Sequence, residues 1–454
     1  MKLISLFKKN FIFIFVTLSL SNSFFAGGNH HSILIITLIL LSALCLIIHS
    51  SSKDNIKLFE LSLITILCYL IFQIIPFPKS LWEILSPKTV EINEMINPVS
   101  YWFSLSPNFF HSLKYIVTWT FVVLIFLFIP FYIIRKRELE LLINCIIFIG
   151  FIHVFFGLIV LILDIAQIGP YQKLFYLNSN TGFFINRNNF CLFLVIIFHL
   201  TFYQLNYYQK KEFKSSYPNQ FYKFLFSNFL IIRFALFFIV VGIILTKSRV
   251  GNLAFGCSLI TYVVLDIYKN KKISFMSKTV LLILVIDVLF LSQYFGSEKL
   301  VERYLASTFE GEQTRLDVFS FGISQFLKFP ILGYGIGNFE NIFRIYYGPH
   351  DHFYDHVHND YIEFIGELGI TGFLLLSLMV LGYFKFIKHQ FKNRPFPFEN
   401  KSLLITLTLS IMVHSFFDFA LHIPANIILA ALVYALILIK PKRIRGNSRL
   451  EGPL

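Results

Sequence analysis

Residues 141–163 read LLINCIIFIGFIHVFFGLIVLIL, a run of 23 positions without a charged side chain. At 1.5 Å per residue a helix of that length reaches about 35 Å, enough to cross the ~30 Å hydrocarbon layer of a bilayer. Comparable stretches lie on both sides: near 11–27, 32–49, 57–76, 113–134, then 188–207, 226–246, 250–268, 279–296, 362–384, 402–420 and 424–440. With 56% hydrophobic and only 14% charged residues in 454, the chain is no water-soluble globular domain. Backbone groups inside hydrocarbon must pair within their own segment, which favours helices, and the runs lack the alternation of a membrane β-barrel. The expected fold is an all-α polytopic bundle of about twelve transmembrane helices.

Charge placement gives a sidedness. The formal charge of +14 would raise nucleic-acid binding for a soluble protein; in a membrane chain, position matters more than total. Basic residues gather on alternate connections, at Lys8 and Lys9, Lys53 and Lys57, Arg135 to Arg137, Lys210 to Lys223, Lys269 to Lys278, Lys385 to Lys401 and the tail from Lys440 to Arg449. The positive-inside rule then puts both termini in the cytoplasm and makes the first run a retained signal anchor. The cysteines Cys45, Cys68, Cys145, Cys191 and Cys257 all fall in apolar stretches without disulfide or zinc spacing, and read as packing or lipid-facing residues.

Two outer segments exceed simple turns, 77–112 and 297–361, and the second is the polar centre of the chain, with five basic residues, nine acidic residues and four histidines. Within it Leu316, Phe319, Ile323, Phe326 and Leu327 recur at helical spacing, which predicts an amphipathic helix over 313–329 at the outer surface, ended by Pro330. Arg315 in its first turn is a phosphate or headgroup contact, or an ordinary interfacial ion pair. Gly333-Tyr334-Gly335-Ile336-Gly337-Asn338 lacks the strand and the Lys-Ser/Thr of a nucleotide loop, and reads as a turn that brings backbone close over the bundle.

The stretch from His350-Asp351-His352 to His356-Val357-His358-Asn359-Asp360 concentrates imidazoles and carboxylates, suited to proton transfer or to metal binding. Metal is the less favoured reading, since it needs several convergent ligands, whereas a general base needs one imidazole. Asn359, Glu363 and Glu367 follow at four-residue steps, a polar stripe that should face a cavity rather than lipid. Gly366, Gly369 and Gly372 allow close approach of neighbours. Arg187 and Arg249 enter from other outer segments; they are either snorkelling anchors or, with Arg315, donors for a diphosphate. His414, Asp418 and His422, four apart near the end of the eleventh span, form either a structural stripe or outer support for the site.

These motifs together, INRNNF at 185–190, SRVG at 248–251, Arg315 through PILGYGIGNF, HVHNDYIEFIGELGITG at 356–372 and HSFFDFALHIPAN at 414–426, resemble the O-antigen ligase and polymerase superfamily of bacterial membrane proteins. The resemblance covers the chain from about residue 180 onward. It implies a metal-independent, inverting glycosyltransferase without a cofactor, on the periplasmic face of the inner membrane. The donor would be an undecaprenyl-diphosphate-linked glycan, the acceptor lipid A-core or another glycan, with membrane lipid as surroundings and no nucleic acid. Carried over by residue, His358 is the base, Glu367 the acidic position of the same motif, and Arg187, Arg249 and Arg315 the diphosphate contacts. Asn359, Asp360, Glu363, His414 and Asp418 stand as supporting residues.

The expected organisation is helices 1 to 5 with the first outer loop over 1–180, helices 6 to 9 over 181–296, the catalytic loop over 297–361, and helices 10 to 12 with a basic tail over 362–454. O-antigen ligation is the leading activity, with glycan polymerisation or protein O-glycosylation as alternatives that no named residue separates. A polysaccharide flippase is the competitor of another class, disfavoured because no internal repeat is found and the polar residues cluster toward one face.

Overall fold

A computed structural model describes residues 20–24, 28, 58–132, 136–165, 167–168, 171–212, 228–295, 316–347, 354–392 and 396–439. The first two apolar runs fall almost wholly outside them, as do Arg315, His350, Asp351, His352 and the basic tail. The architecture is an all-α polytopic membrane bundle. In chain order come α1 (Leu58–Phe72), β1 (Phe77–Pro78), α2 (Lys79–Leu85), α3 (Pro87–Ile96), β2 (Trp102–Phe103), α4 (Phe109–Tyr132), α5 (Lys136–Ile162), β3 (Gln167–Ile168), β4 (Tyr171–Gln172) and α6 (Arg187–Glu212). Then follow α7 (Asn228–Leu245), α8 (Arg249–Asn270), α9 (Phe275–Phe295), a helical stretch over 316–328, α10 (Phe339–Tyr346), α11 (Asp360–Gln390), α12 (Phe398–Phe417), a 3-10 turn at Ala420–His422 and α13 (Pro424–Ile437). The strands form two small antiparallel pairs, β1 with β2 and β3 with β4.

Each of the last ten expected spans coincides with a helix, and six of the described helices are long and apolar enough to cross a membrane. Helix α6 is the hub, packed among α5, α7, α12 and α13, with every side chain from Phe190 to Ile197 fully buried. A helix surrounded by helices has no need of a polar face, which is why its sequence is apolar all round. Helix α11 is the opposite case, with Phe373, Leu374, Leu378 and Leu381 exposed at the bundle's perimeter and its other face against α1.

The interruption of α11 sets up the site. Gly369 has φ 62° and ψ −173°, a backbone region essentially closed to side-chain-bearing residues, so the helix breaks there. The freed backbone groups pair with the glycine-rich segment after Pro330, which packs against the break as a strap. Tyr334 N–H donates to Gly366 O (3.1 Å) and Gly335 N–H to Glu367 O (3.0 Å); in return Ile370 N–H donates to Pro330 O (2.8 Å) and Thr371 N–H to Ile331 O (3.1 Å). From α1, Tyr69 donates its hydroxyl to Leu332 O and Leu368 O, and Gln73 Nε2 to Glu367 O. Gly333, Gly335 and Gly337 all have positive φ, and a Cβ at Gly333 would lie 2.2 Å from Glu367 O. The glycines of α11 thus admit this strap, more than another helix as their spacing suggested: a Cβ at Gly366 would meet the Tyr334 ring at 2.9 Å.

Candidate functional site

Four helix ends converge on one side of the bundle: the N-termini of α6, α8 and α11 and the C-terminus of α12. Local sequence explains each. Ser248 N-caps α8, accepting from Gly251 N–H at 3.0 Å, after a tight turn with Lys247 at φ 54°. Asn359 N-caps α11 through Tyr361 N–H and Ile362 N–H, and its amide donates to Phe416 O at the end of α12 (2.9 Å). Helix α12 stops at Phe417 because Asp418 is extended (φ −156°, ψ 176°) and its carboxylate accepts from Phe419 N–H. His414, Asp418 and His422 therefore do not share a helical stripe; the break sends their side chains to different partners, and the expected span 402–420 ends three residues early.

His358 stands in the left-handed region at φ 57°, immediately before the Asn359 cap, so the chain turns and carries the imidazole across to α12. Its Nδ1 lies 3.3 Å from Asp418 Oδ1, the edge of Phe419 approaches its ring at 5.0 Å, and its side chain is 20% exposed while Asp418 is wholly buried. Behind it, Asn188 of α6 donates its amide to Asp418 Oδ2 and accepts from Ser248 Oγ–H at 2.7 Å. Burial pushes the Asp418 carboxyl up, but its hydrogen bond and charge interaction with His358, together with His414 and the Phe419 N–H, outweigh that and hold it below the usual carboxylate range.

A second network, buried except for a partly exposed His356, lies below. Asp360 accepts from Leu421 N–H and pairs with His422 Nδ1 at 2.6 Å; Glu363 accepts from Val357 N–H (2.9 Å) and pairs with His356 Nδ1 at 2.6 Å. Glu367 accepts from Gly337 N–H of the strap (2.8 Å) and lies 3.4 Å from His422 Nε2. The polar stripe of α11 is thus buried as expected, but against imidazoles and the strap, since three carboxylates in low dielectric need cationic or donor partners more than empty space. Burial disfavours charge on His422, yet Glu363, then Asp360 and Glu367, hold its pKa well above the ordinary histidine value; the same contest, with Glu363 the main partner, raises His356. Phe364 stacks on His422 and Phe419 on His356, both at 4.1 Å.

Among the described residues, Glu363, Glu367 and His422 are the group with donor atoms near enough together to hold a metal ion, all within 4.8 Å. Glu363 Oε1 is already engaged by His356 and His422 Nδ1 by Asp360, while His422 Nε2 and Glu367 Oε2, 3.4 Å apart, have no hydrogen-bond partner among the described residues. Arg187 opens α6 with its guanidinium 5.0 Å from the Tyr176 ring centre, and Arg249, exposed, opens α8. The structure thus gathers His358, Asp418, Asn359, Asp360, Glu363, Glu367 and His414 around one helix junction, with Arg187 and Arg249 each one residue from a member of the His358 chain. Arg315 lies outside the described residues, and the helical stretch after it begins at Leu316.

Residues 234–377 match the family model described as O-antigen ligase. The chain carries that family's region. It runs from within α7 to within α11 and takes in Arg249, the strap, His358 and Glu367, while Arg187, His414 and Asp418 lie beyond it. Over that stretch the chain is similar to the O-antigen ligase family. No curated protein matches the chain.

Sequence reading missed Asn188 and Ser248 as parts of the site, although both stand in quoted motifs. An amide and a hydroxyl beside arginines carry no signal of their own until folding brings positions 188, 248 and 418 together. It also left His356 out of the site; alternation would put His356 and His358 on one face, but the positive φ of His358 turns its imidazole to Asp418 while His356 pairs with Glu363.

Proposed function

We propose that the protein is a membrane glycosyltransferase of the O-antigen ligase type, transferring a glycan from undecaprenyl diphosphate to a hydroxyl of lipid A-core at the periplasmic face. The observation that supports this best is the His358 pairing: an imidazole at the partly open end of the site, backed through Nδ1 by a buried carboxylate, leaves Nε2 as the atom free to take a proton. As the acceptor oxygen attacks the anomeric carbon, Nε2 takes the hydroxyl proton. The carbon–oxygen bond to the diphosphate breaks with its electron pair, and configuration inverts. Arg187, Arg249 and Arg315 would neutralise the departing diphosphate. His358 then returns its proton to water.

In this reading Glu367 acts through the strap and His422, holding the break in α11, and Asn359, Asp360, Glu363 and His414 support the same junction. In the same reading the chain comprises an N-terminal helical part, a central part carrying Arg187 and Arg249, the catalytic outer loop with Arg315 and a C-terminal part with Asp418. Both termini are cytoplasmic. Polymerisation of lipid-linked repeats uses the same chemistry with a different acceptor. The test is His358→Ala in correctly inserted protein: the deletion strain complemented with it should lack surface glycan on core and accumulate lipid-linked polymer. Normal glycan joining by that variant refutes the proposal.

A further inference from the structure

Resting on the reading of His358 as the base, we propose that Asn188 and Ser248 are positioning residues that fix which imidazole nitrogen of His358 carries its proton, and that tie the two arginine-bearing helix starts to that choice. The hydrogen-bond polarity can be followed without ambiguity from one end. Ser248 Oγ accepts the cap hydrogen bond from Gly251 N–H (3.0 Å), so its own proton is free to go to Asn188 Oδ1 (2.7 Å). Accepting through Oδ1 orients the Asn188 amide, and its Nδ2 then donates to Asp418 Oδ2. Asp418 Oδ1 also accepts from Phe419 N–H (2.9 Å). A carboxylate receiving these donors stays ionised, and an ionised carboxylate can only accept, so the proton between it and His358 sits on Nδ1. Nε2 is left with its lone pair.

The 3.3 Å contact between His358 and Asp418 is long, as such contacts often are before a substrate is bound. What holds Asp418 meanwhile comes from α6 and α8, not from the loop that carries His358. Ser248 and Asp418 are fully buried and Asn188 is half-buried between them, so both hydrogen bonds are partly shielded from bulk water. Asn188 follows Arg187 and Ser248 precedes Arg249. A shift of either helix start on binding an anion would therefore be felt at Asp418 and at His358.

Other charged groups bear on the same carboxylate: His414 from α12, whose Nε2 lies 3.2 Å from Asn188 O, and Asp360 at the start of α11, whose N–H donates to Asp418 O. His422, Glu363 and His356 lie one layer below. None of these supplies the link from α6 and α8.

The test reads the imidazole directly and needs no glycan. Full-length protein in detergent is treated with diethyl pyrocarbonate over a range of pH, and the modification of His358 is followed by mass spectrometry of its peptide; only the neutral imidazole reacts. Asp418→Asn removes the anion, so the midpoint of His358 modification should move to lower pH. Asn188→Leu removes a donor from the carboxylate and makes it a stronger partner for protonated His358, so the midpoint should move to higher pH. Ser248→Ala should shift it in the same direction as Asn188→Leu by less, and Ser248→Thr, which restores the hydroxyl, should return it toward wild type. Shifts of opposite sign for the Asp418 and Asn188 variants are the signature, because general loosening of the site would move both alike. A midpoint unmoved by Asn188→Leu and Ser248→Ala overturns the relay. Where Asn188→Leu does not elute as a single species, the Ser248 pair carries the test. If the shifts appear while His358→Ala still joins glycan, the relay stands and the assignment of His358 as base fails.

Discussion

Replacing Gly369 by alanine should be among the most damaging small substitutions in the chain, and the structure allows its cost to be worked out. At φ 62° and ψ −173° the added Cβ strains the backbone by about 1–3 kcal/mol. It would also lie 2.5 Å from Gly333 N and 2.5 Å from Ile331 O, backbone atoms that cannot swing aside as a side chain would. Relieving that overlap means moving the strap, and the strap and the break share four backbone hydrogen bonds, each contributing about 0.5–1.5 kcal/mol. Losing half of them brings the total to about 2–6 kcal/mol, a large part of the ~5–15 kcal/mol margin of a folded protein. At about 2 °C per kcal/mol for a chain of this size, the melting temperature should fall by about 4–12 °C. Gly256→Ala is the control: it sits within α8, its added Cβ would meet only Leu284 at 3.9 Å, and the change should stay within about 1 kcal/mol of wild type. Thermal unfolding followed by fluorescence-detected gel filtration in detergent measures both. A Gly369→Ala protein that melts within about 2 °C of the Gly256→Ala control would show that the strap does not hold the broken helix.

Two further outcomes follow from the burial pattern and the ion pairs. His356 and His422 have raised pKa values in the folded protein, so the stability they contribute is complete below their unfolded value of about 6.5 and is lost as pH rises through the folded values; Asp418, lowered, contributes above its unfolded value of about 3.9 and loses that as pH falls through its folded value. Melting temperature measured against pH should therefore decline on the alkaline side, and His422→Gln should flatten that decline; an unchanged alkaline slope would show that His422 gains no proton on folding. In the helical stretch 316–328, Leu316, Ile323 and Leu327 are exposed while Val318, Phe321 and Gln325 are buried, so single cysteines at 323 and 327 in reconstituted protein should carry a fluorophore that brominated lipid quenches, and a quenching no greater than at Lys79→Cys would remove the outer-leaflet contact.

Much of this bundle is legible in composition and period, and the misreadings have identifiable causes. Helices α5 to α8 follow from apolar run length alone, because a helix in hydrocarbon is decided by its own residues. The break at Gly369 is not, since neither ILGYGIGN nor GELGITG contains a proline and the positive-φ backbone arises only where the two segments meet. Of the side chains that recur at helical spacing in the helix expected over 313–329, Leu316, Ile323 and Leu327 turn outward and Phe319 and Phe326 are half-buried, while Val318, Phe321 and Phe329 make the contacts with α10 and the chain near Tyr334. His414, Asp418 and His422 keep a helical interval in sequence, and only the extended backbone at Asp418 separates them. His358 and the two described arginines were identified by motif. Their connection through Asn188 spans 230 positions and could be seen only in three dimensions.

The junction at Gly369 also constrains how the polypeptide is made. During synthesis residues 330–337 emerge before residues 360–390. The amides and carbonyls that α11 leaves open at its break therefore find their partners already made, instead of facing acyl chains unpaired. Were the two segments exchanged in order, the same helix would have to enter the bilayer with its backbone unprotected. The direction of translation thus matches the direction in which this protein can be assembled.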